Sequence, residues 1–495
     1  MEKNNSYFKS LFLLIPVLLL NIVKLNAGNI LIGTTSVDIT PELPVALTGQ
    51  FNLRIAEAIE TPLTANIIAF ESQEETGESD AAIMVSCDLL YISNEMLQKV
   101  REEVGKKVIG LNINKIFLSA THTHTAPVLE NDSTFSFRYK IPEKGVLQVD
   151  EYVRFFVKQV SDTIIKAWNS RKPGSITWGL SHASVAYNRR AVYADGTSVM
   201  YGNTNNPDFL NLEGTEDHDV NTLFFWDKSG KLIAMTINVP CPSQVVEHRS
   251  AVNADYWHPV REKLKQRFGM DVTILGWGGA SGDQSPRPLY RKKAEARMTK
   301  LRNLSETEEV ARRICIAVEE AYETVKNDKH KEIKFIHKTE TLSLPVRKVT
   351  DEEYHFSMTE RDKYSALIAA NPKLAEEHLA RVTWNADVVK RYNMQKSNPN
   401  LDYKTEIHVV RIGDIVLCTN QFEFFTDYGL RIQARSEALQ TFVIAFTGPI
   451  TYLPTEKAVK GGGYSAVIQS GVVGPEGGQI VVERTVQLIN EMFNN

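Results

Sequence analysis

Short apolar runs that read as strands alternate with amphipathic helical stretches along almost the whole chain, and this alternation restricts the fold more than any other feature. The first runs are ANIIAF, Ala65 to Phe70, and IMVSC, Ile83 to Cys87. A helical stretch from Glu95 to Val108 follows, and then KIFLSA, Lys115 to Ala120. Further strands read at SITWGL, TLFFWD, LIAMTINV, VTILGW, EIHVVRI, DIVLCT and FVIAFT, with long helices near Asp150 to Arg171 and Ser305 to Val325. The pattern predicts an α/β fold, a layered sandwich of mixed β-sheets with flanking helices. The helix after Ser305 is well marked: Ser305 and Glu308 form a capping box, and Val310, Ile314, Ala317, Val318, Ala321 and Val325 make one apolar stripe. Thr350 to Lys396 is charged and helical in character, broken by Pro372 and closed by the SNPN run at Ser397 to Asn400. Residues 350–400 are therefore expected to form an inserted helical cap. No repeat or flexible linker divides the rest, so residues 28–495 are expected to form one large domain.

Of the 495 residues 43% are hydrophobic, enough for a well-formed core. The formal net charge is −4 with both signs interspersed, which argues against a nucleic-acid partner. Lys3 and Lys9 precede an apolar run from Leu11 to Val23, and Ala27 and Gly28 offer a small-residue cleavage point. Residues 1–27 read as an export signal, predicting a periplasmic or secreted protein; the other reading, an uncleaved anchor, suits the short run and Pro16 less well. No later segment is apolar enough to span a bilayer. Cys87, Cys315 and Cys418 lie in strands or a helix and read as buried thiols, whereas Cys241 stands between Pro240 and Pro242 at a strand end.

Two segments can carry chemistry. SATHTHTAP, Ser119 to Pro127, ends a strand in two histidines one residue apart, so that in an extended segment His122 and His124 face one cleft, one as a metal ligand and the other as a proton carrier. ILGWGGASGDQSPR, Ile274 to Arg287, delivers a glycine-rich loop with Ser281, Asp283 and Ser285. Such a loop can present a serine or cradle an oxyanion, and equally it can be a tight structural turn; nucleophile-elbow and phosphate-loop spacings are absent.

Together SATHTHTAP, GDQSP and the C-terminal TYLPTEKAVKGGGY resemble the neutral, non-lysosomal ceramidase family, zinc amidases that cleave the N-acyl bond of ceramide; GTTSVDITPELPVALTGQ resembles that family's start. The resemblance implies zinc as cofactor and a small N-acylated substrate, a lipid at a membrane surface included. It implies that His122 is a zinc ligand and His124 the proton-handling histidine. Asn188 and Arg189 match an asparagine–arginine pair whose arginine stabilises charge on the substrate carbonyl. Ser285 matches a serine needed for activity, Glu423 the zinc-binding glutamate, Tyr452 the tyrosine completing the zinc shell, and Tyr464 a second tyrosine near the carbonyl. A zinc ion held by imidazole, carboxylate and phenol lowers the pKa of a water toward ~7, making it able to attack an amide.

The chain departs from the family's pattern at two places. A second zinc-binding histidine is expected in the segment aligned with TINVPCPSQ, where this chain has Cys241, a thiolate being an acceptable ligand; His248 or His258 is the alternative. The chain also ends in an amphipathic helix, Gln479 to Phe493, where the family continues into a β-sandwich domain, and Ser465 stands where the family has a glutamate. Asp88 is a candidate orienting acceptor for a ligand histidine, and Asp255 a candidate helix N-cap. The leading expectation is an exported zinc-dependent amidohydrolase acting on ceramide or a related N-acylated lipid or sugar. The residues also admit a metal-free serine esterase using Ser285 with His124 as base, or a non-catalytic envelope binding protein with a decayed metal site.

Overall fold

A computed structural model describes residues 28–73, 79–131 and 138–494; the predicted export signal, residues 1–27, lies outside the described residues. The largest sheet runs in the order Thr273–Gly278, Leu232–Val239, Asp219–Asp227, Lys172–His182, Gly28–Asp38, Thr64–Gln73, Ser79–Cys87 and Ile116–Ala120. Its outermost pairs are parallel and the inner pairs antiparallel, so the sheet is mixed. A four-stranded sheet, Phe335–Pro345, Asp402–Ile412, Ile415–Thr419 and Gln440–Ile444, packs against it.

Period-2 alternation decides which side chain enters which layer. Ile67 and Ala69 pair with Val85 and Ile83 and face the helical layer, whereas Ile68 and Phe70 pair with Met84 and Ala82 and face the second sheet. Between the sheets these residues meet Phe225, Leu275, Trp277, Val410, Leu417 and Phe442. Helices α1 (Asn94–Gly105), α2 (Val149–Asn169), α3 (Trp257–Phe268) and α5 (Glu306–Val325) cover the outer face of the large sheet. On the four-stranded sheet lie α8 (Thr426–Arg435) and α10 (Pro475–Phe493), with the short α9 (Glu456–Gly461) leading into the last segment. The fold is thus the layered α/β sandwich the alternation predicts, with helices outside and two sheets within.

The remaining helices are α4 (Lys292–Leu301), α6 (Asp351–Ala370) and α7 (Ala375–Ser397). Residues 350–400 do form a helical hairpin, α6 and α7, opened by a capping box at Thr350 and Glu353 and bent at Pro372, where a helix interior would lose a backbone hydrogen bond. The capping box at Ser305 and Glu308 is also formed, with all the predicted stripe except Val325 buried. Both edge strands of the large sheet lead into chemistry-bearing segments: Ile116–Ala120 runs into His122, and Thr273–Gly278 runs into the loop that carries Ser285.

Candidate functional site

The THTH segment is not extended. His122 has a left-handed backbone, φ 67°, a conformation that costs a non-glycine residue about 1 kcal/mol. Its N–H donates to the Leu89 carbonyl at 2.9 Å, and its ring stacks on Phe446 at 4.3 Å between centroids. The turn, not strand alternation, brings the two imidazoles together, 5.1 Å apart and nearly perpendicular. His122 Nδ1 faces the Leu90 carbonyl at 2.9 Å and so carries the proton, leaving the lone pair on Nε2. Burial lowers its pKa to about 3, so the ring is neutral. That lone pair faces Glu423 Oε2 at 3.7 Å.

Glu423 and Tyr452 are held side by side by a short parallel pairing, Glu423 with Tyr452 and Phe424 with Leu453. Burial raises the Glu423 carboxyl to about 7, opposed by a hydrogen bond from Tyr452 and by the Arg189 charge. Arg189 is buried beside them. It donates through Nη2 to the Gly282 carbonyl at 2.8 Å and to Tyr452 Oη at 3.1 Å, and through Nη1 to Gln244 Oε1 at 3.0 Å, while its Nε–H has no partner. His124 donates from Nδ1 to the Gly49 carbonyl at 2.9 Å and accepts at Nε2 from Gln244 Nε2 at 2.7 Å. Gly49, at φ 95°, cannot carry a side chain here: a Cβ would lie 2.7 Å from His124 Nδ1.

A cavity of about 80 Å³ opens over His122, His124, Glu423, Tyr452 and Tyr464. Trp384, Asp387, Val388 and Arg391 of α7 form its other wall, so the cap completes the site. The Tyr464 ring lies 5.6 Å from that of Tyr452, 6.0 Å from Phe51 and 5.9 Å from Trp384.

No sequence-family model matches the chain. Among solved structures it resembles the neutral ceramidase from Pseudomonas aeruginosa at a TM-score of 0.66, with 17% identity over 94% of this chain and 75% of that one. A ceramidase complexed with C2 gives the same TM-score, with 16% identity over 94% of this chain and 76% of the other. The chain has the neutral ceramidase fold.

Within this ceramidase fold one expected ligand lies away from the cavity. Cys241 is fully buried among apolar residues, its Sγ on the Val185 carbonyl at 3.2 Å, and burial pushes its thiol well above the ordinary value. It does not line the cavity. Gln244, three residues on, is the member of TINVPCPSQ that reaches the site. Neither alternative replaces it: His248 is exposed beside Glu247, and His258 is half-buried at the start of α3 among Glu262, Arg261 and Asp88. All four cysteines are buried and free. Asp88 does not orient a histidine but makes a two-point ion pair with Arg261 at 2.7 and 2.9 Å, and Asp255 precedes the N-cap position, its carboxylate holding the Val246 and Tyr256 N–H groups.

Ser285 is buried away from the cavity. Its hydroxyl accepts from Tyr201 Oη at 3.2 Å and from the Arg287 N–H at 3.1 Å, and it makes no hydrogen bond with His124, both of whose nitrogens are engaged elsewhere. The rest of GDQSP is a structural hub. Asp283 accepts from Asn188 Nδ2 at 2.9 Å and from the Thr426 N–H at 2.9 Å, which joins the Asn188–Arg189 segment to the start of α8 just beyond Glu423. Among the described residues no group of three or more His, Cys, Asp or Glu side chains is arranged to hold a metal ion by itself. The donor set here is nitrogen from His122, oxygen from Glu423 and phenol oxygen from Tyr452. With the Glu423 carboxyl ionised, its oxygen, the His122 Nε2 lone pair 3.7 Å away and the Tyr452 phenol would fit a cation such as zinc.

Proposed function

We propose that the chain is an exported amidohydrolase that cleaves the linear N-acyl bond of ceramide or a related N-acylated amphiphile with the help of a zinc ion. One observation carries this reading: neutral His122 Nε2 faces Glu423 Oε2 across 3.7 Å, in a cavity shared with the Tyr452 and Tyr464 phenols. The fold likeness to a ceramidase complexed with C2 supports the substrate class. Export is supported by the basic and apolar N-terminal run ending at Ala27.

His122, Glu423 and Tyr452 would hold the ion, which when bound supplies a Lewis acid for the amide carbonyl and makes a water acidic enough to attack at neutral pH. His124, with its lone pair on Nε2, takes the water's proton and returns it to the departing amine nitrogen. Gln244 bonds His124 Nε2, so the water has to replace that amide for His124 to act as base. Arg189, bonded to Tyr452 Oη behind the cavity, offers a fixed positive charge to the carbonyl oxygen as it becomes negative. Tyr464 bounds the cavity beside Tyr452 and adds a second hydroxyl near the carbonyl.

Incubation of the mature protein with a short-chain ceramide, an N-acyl amino acid, an N-acylated sugar and a p-nitrophenyl ester, read as acid released, tests the reading. It predicts amide cleavage that a chelator abolishes and zinc restores. Ester cleavage indifferent to the chelator would replace it with chemistry at Ser285. No turnover, together with ligand affinity unchanged by His122→Ala, would leave a binding protein.

A further inference from the structure

The cavity over His122 and Glu423 has room for an amide group and little more, whereas a groove of about 740 Å³ lies nearby between α4, α5 and the residues following Ser285. Its size falls within the roughly 300–1,000 Å³ usual for small-molecule sites. Arg189 stands between the two spaces. Its guanidinium is 5.9 Å from the Tyr452 ring, which lines the cavity, and 5.9 Å from the Tyr201 ring, which lines the groove and donates to Ser285.

The groove is apolar below and positively charged above. Val245, Leu289 and Val310 form its floor, with Ala296 of α4 opposite them. Helix α4 has ten residues and buries none of them; Met298 is 39% and Leu301 64% exposed. A helix this short is marginal in water without an apolar face packed against something. Along the rim, Glu295 and Glu309 are committed to arginines, Glu295 to Arg291 and Arg313 and Glu309 to Arg302, Arg312 and Arg313. Lys292 and Lys300, one at each end of α4, make no ion pair among the described residues, against Glu306 as the uncommitted acid. The charge free to meet a ligand is therefore positive.

We propose that this groove binds a long-chain fatty acid, its alkyl chain between α4 and α5 and its carboxylate on the positively charged rim that Lys292 and Lys300 supply. The choice of ligand rests on the amidase reading, since a fatty acid is the acyl product of that reaction. Its binding can nevertheless be read without turnover. The floor supplies apolar contact for the chain, the two lysines less Glu306 leave one positive charge for the carboxylate, and Arg189, 5.9 Å from both the Tyr201 and the Tyr452 ring, places the site beside the chemistry that would generate the ligand.

Calorimetric titration of the full mature chain with dodecanoate and hexadecanoate tests this. Saturable binding of one molecule per chain is expected, abolished in Ala296→Trp, which fills the groove, and weakened at least tenfold in the exposed double variant Lys292→Glu/Lys300→Glu. Both variants should still cleave an N-acetyl substrate at the wild-type rate, and His122→Ala should bind the fatty acid as the wild type does. Absence of binding, wild-type affinity in the double variant, or loss of binding in His122→Ala would each overturn the proposal; the last would put the ligand in the catalytic cavity. Binding with this pattern in a chain that cleaves no amide would uphold the groove and remove the amidase reading.

Discussion

At the scale of single residues, the site is governed by which lone pairs burial and hydrogen bonding leave free. Gln244 matters most here, because one amide satisfies both His124 Nε2 and Arg189 Nη1. Gln244→Ala leaves a buried acceptor and a buried donor without partners, each worth about 1–3 kcal/mol. We expect kcat/KM to fall ~10- to 100-fold with the fold retained by circular dichroism; an unchanged kcat/KM would show that the bridge is idle. The segment containing Gln244 was legible as site-forming, but not the residue that enters. Cys241 stands at the expected place and has the more familiar metal-binding side chain, yet a neutral thiol buries in apolar surroundings at little cost, whereas an amide must find partners. Glu423 supplies a pH signature. Its carboxyl sits at about 7 in the folded chain against roughly 4.3 when unfolded, so the folded state binds the extra proton between those values. The stability this confers is complete below the unfolded value and is lost as pH rises through about 7. In the metal-free protein Glu423→Gln should therefore be more stable than the wild type at pH 8, by about 2 kcal/mol in urea unfolding, with the gap closing at pH 4. Equal stability of the two at pH 8 would contradict a carboxylate whose burial outweighs its Tyr452 hydrogen bond and the Arg189 charge.

At the scale of elements, the decisive devices are clamps between segments far apart in the chain. Arg190, fully buried, pairs through two nitrogens with Glu213 at 2.7 and 3.1 Å and also donates to the carbonyls of Ala458, Gly462 and Tyr464 and to Ser465 Oγ. It thereby fixes the turn that presents Tyr464, including Ser465 at φ 74°. Breaking one partner of such a buried pair costs about 3–5 kcal/mol, so Arg190→Met should lower stability by that much in urea unfolding, while Glu213→Gln, which keeps hydrogen bonds, should cost less. Equal losses would mean that the charge, not the carbonyl clamp, does the holding. No local pattern in YNRR or GGGYS announces this pairing, since its partners are 23 to 275 residues apart. The role of α7 was more accessible. Trp384, Asp387, Val388 and Arg391 recur at the spacing of one helix face, and that face lines the cavity. Their spacing marks a shared face, but only the packing of the hairpin tells whether the face meets a core or a site. Trp384→Ala should raise KM for a lipid amide several-fold and leave KM for an N-acetyl substrate nearly unchanged; an equal effect on both would make Trp384 a support for the hairpin only.

At the scale of the whole molecule, the layered sandwich was readable because strand alternation and helix stripes are local, whereas the order of strands and the joining of the sheet's two edges are not. Ile116–Ala120 and Thr273–Gly278 lie at opposite ends of one sheet's order, yet the Phe446 and Ala445 backbones bond to both, Ala120 N–H to the Phe446 carbonyl at 3.0 Å and Ala445 N–H to the Gly278 carbonyl at 2.9 Å. That closure brings His122 and Glu423, drawn from distant parts of the chain, to one cavity, with Arg189 behind it on Tyr452 Oη. The ceramidase fold thus accounts for the placement of the residues, and the donor set accounts for the proposed chemistry. The most direct test of a zinc site at His122 and Glu423 is zinc per chain, by elemental analysis of the purified mature protein and of His122→Ala, Glu423→Ala and Cys241→Ala. Near-stoichiometric zinc is expected in the wild type and in Cys241→Ala, with its loss in the other two variants. A wild type that takes up no zinc when it is supplied, or a Cys241→Ala variant that loses it while remaining folded, would contradict that site.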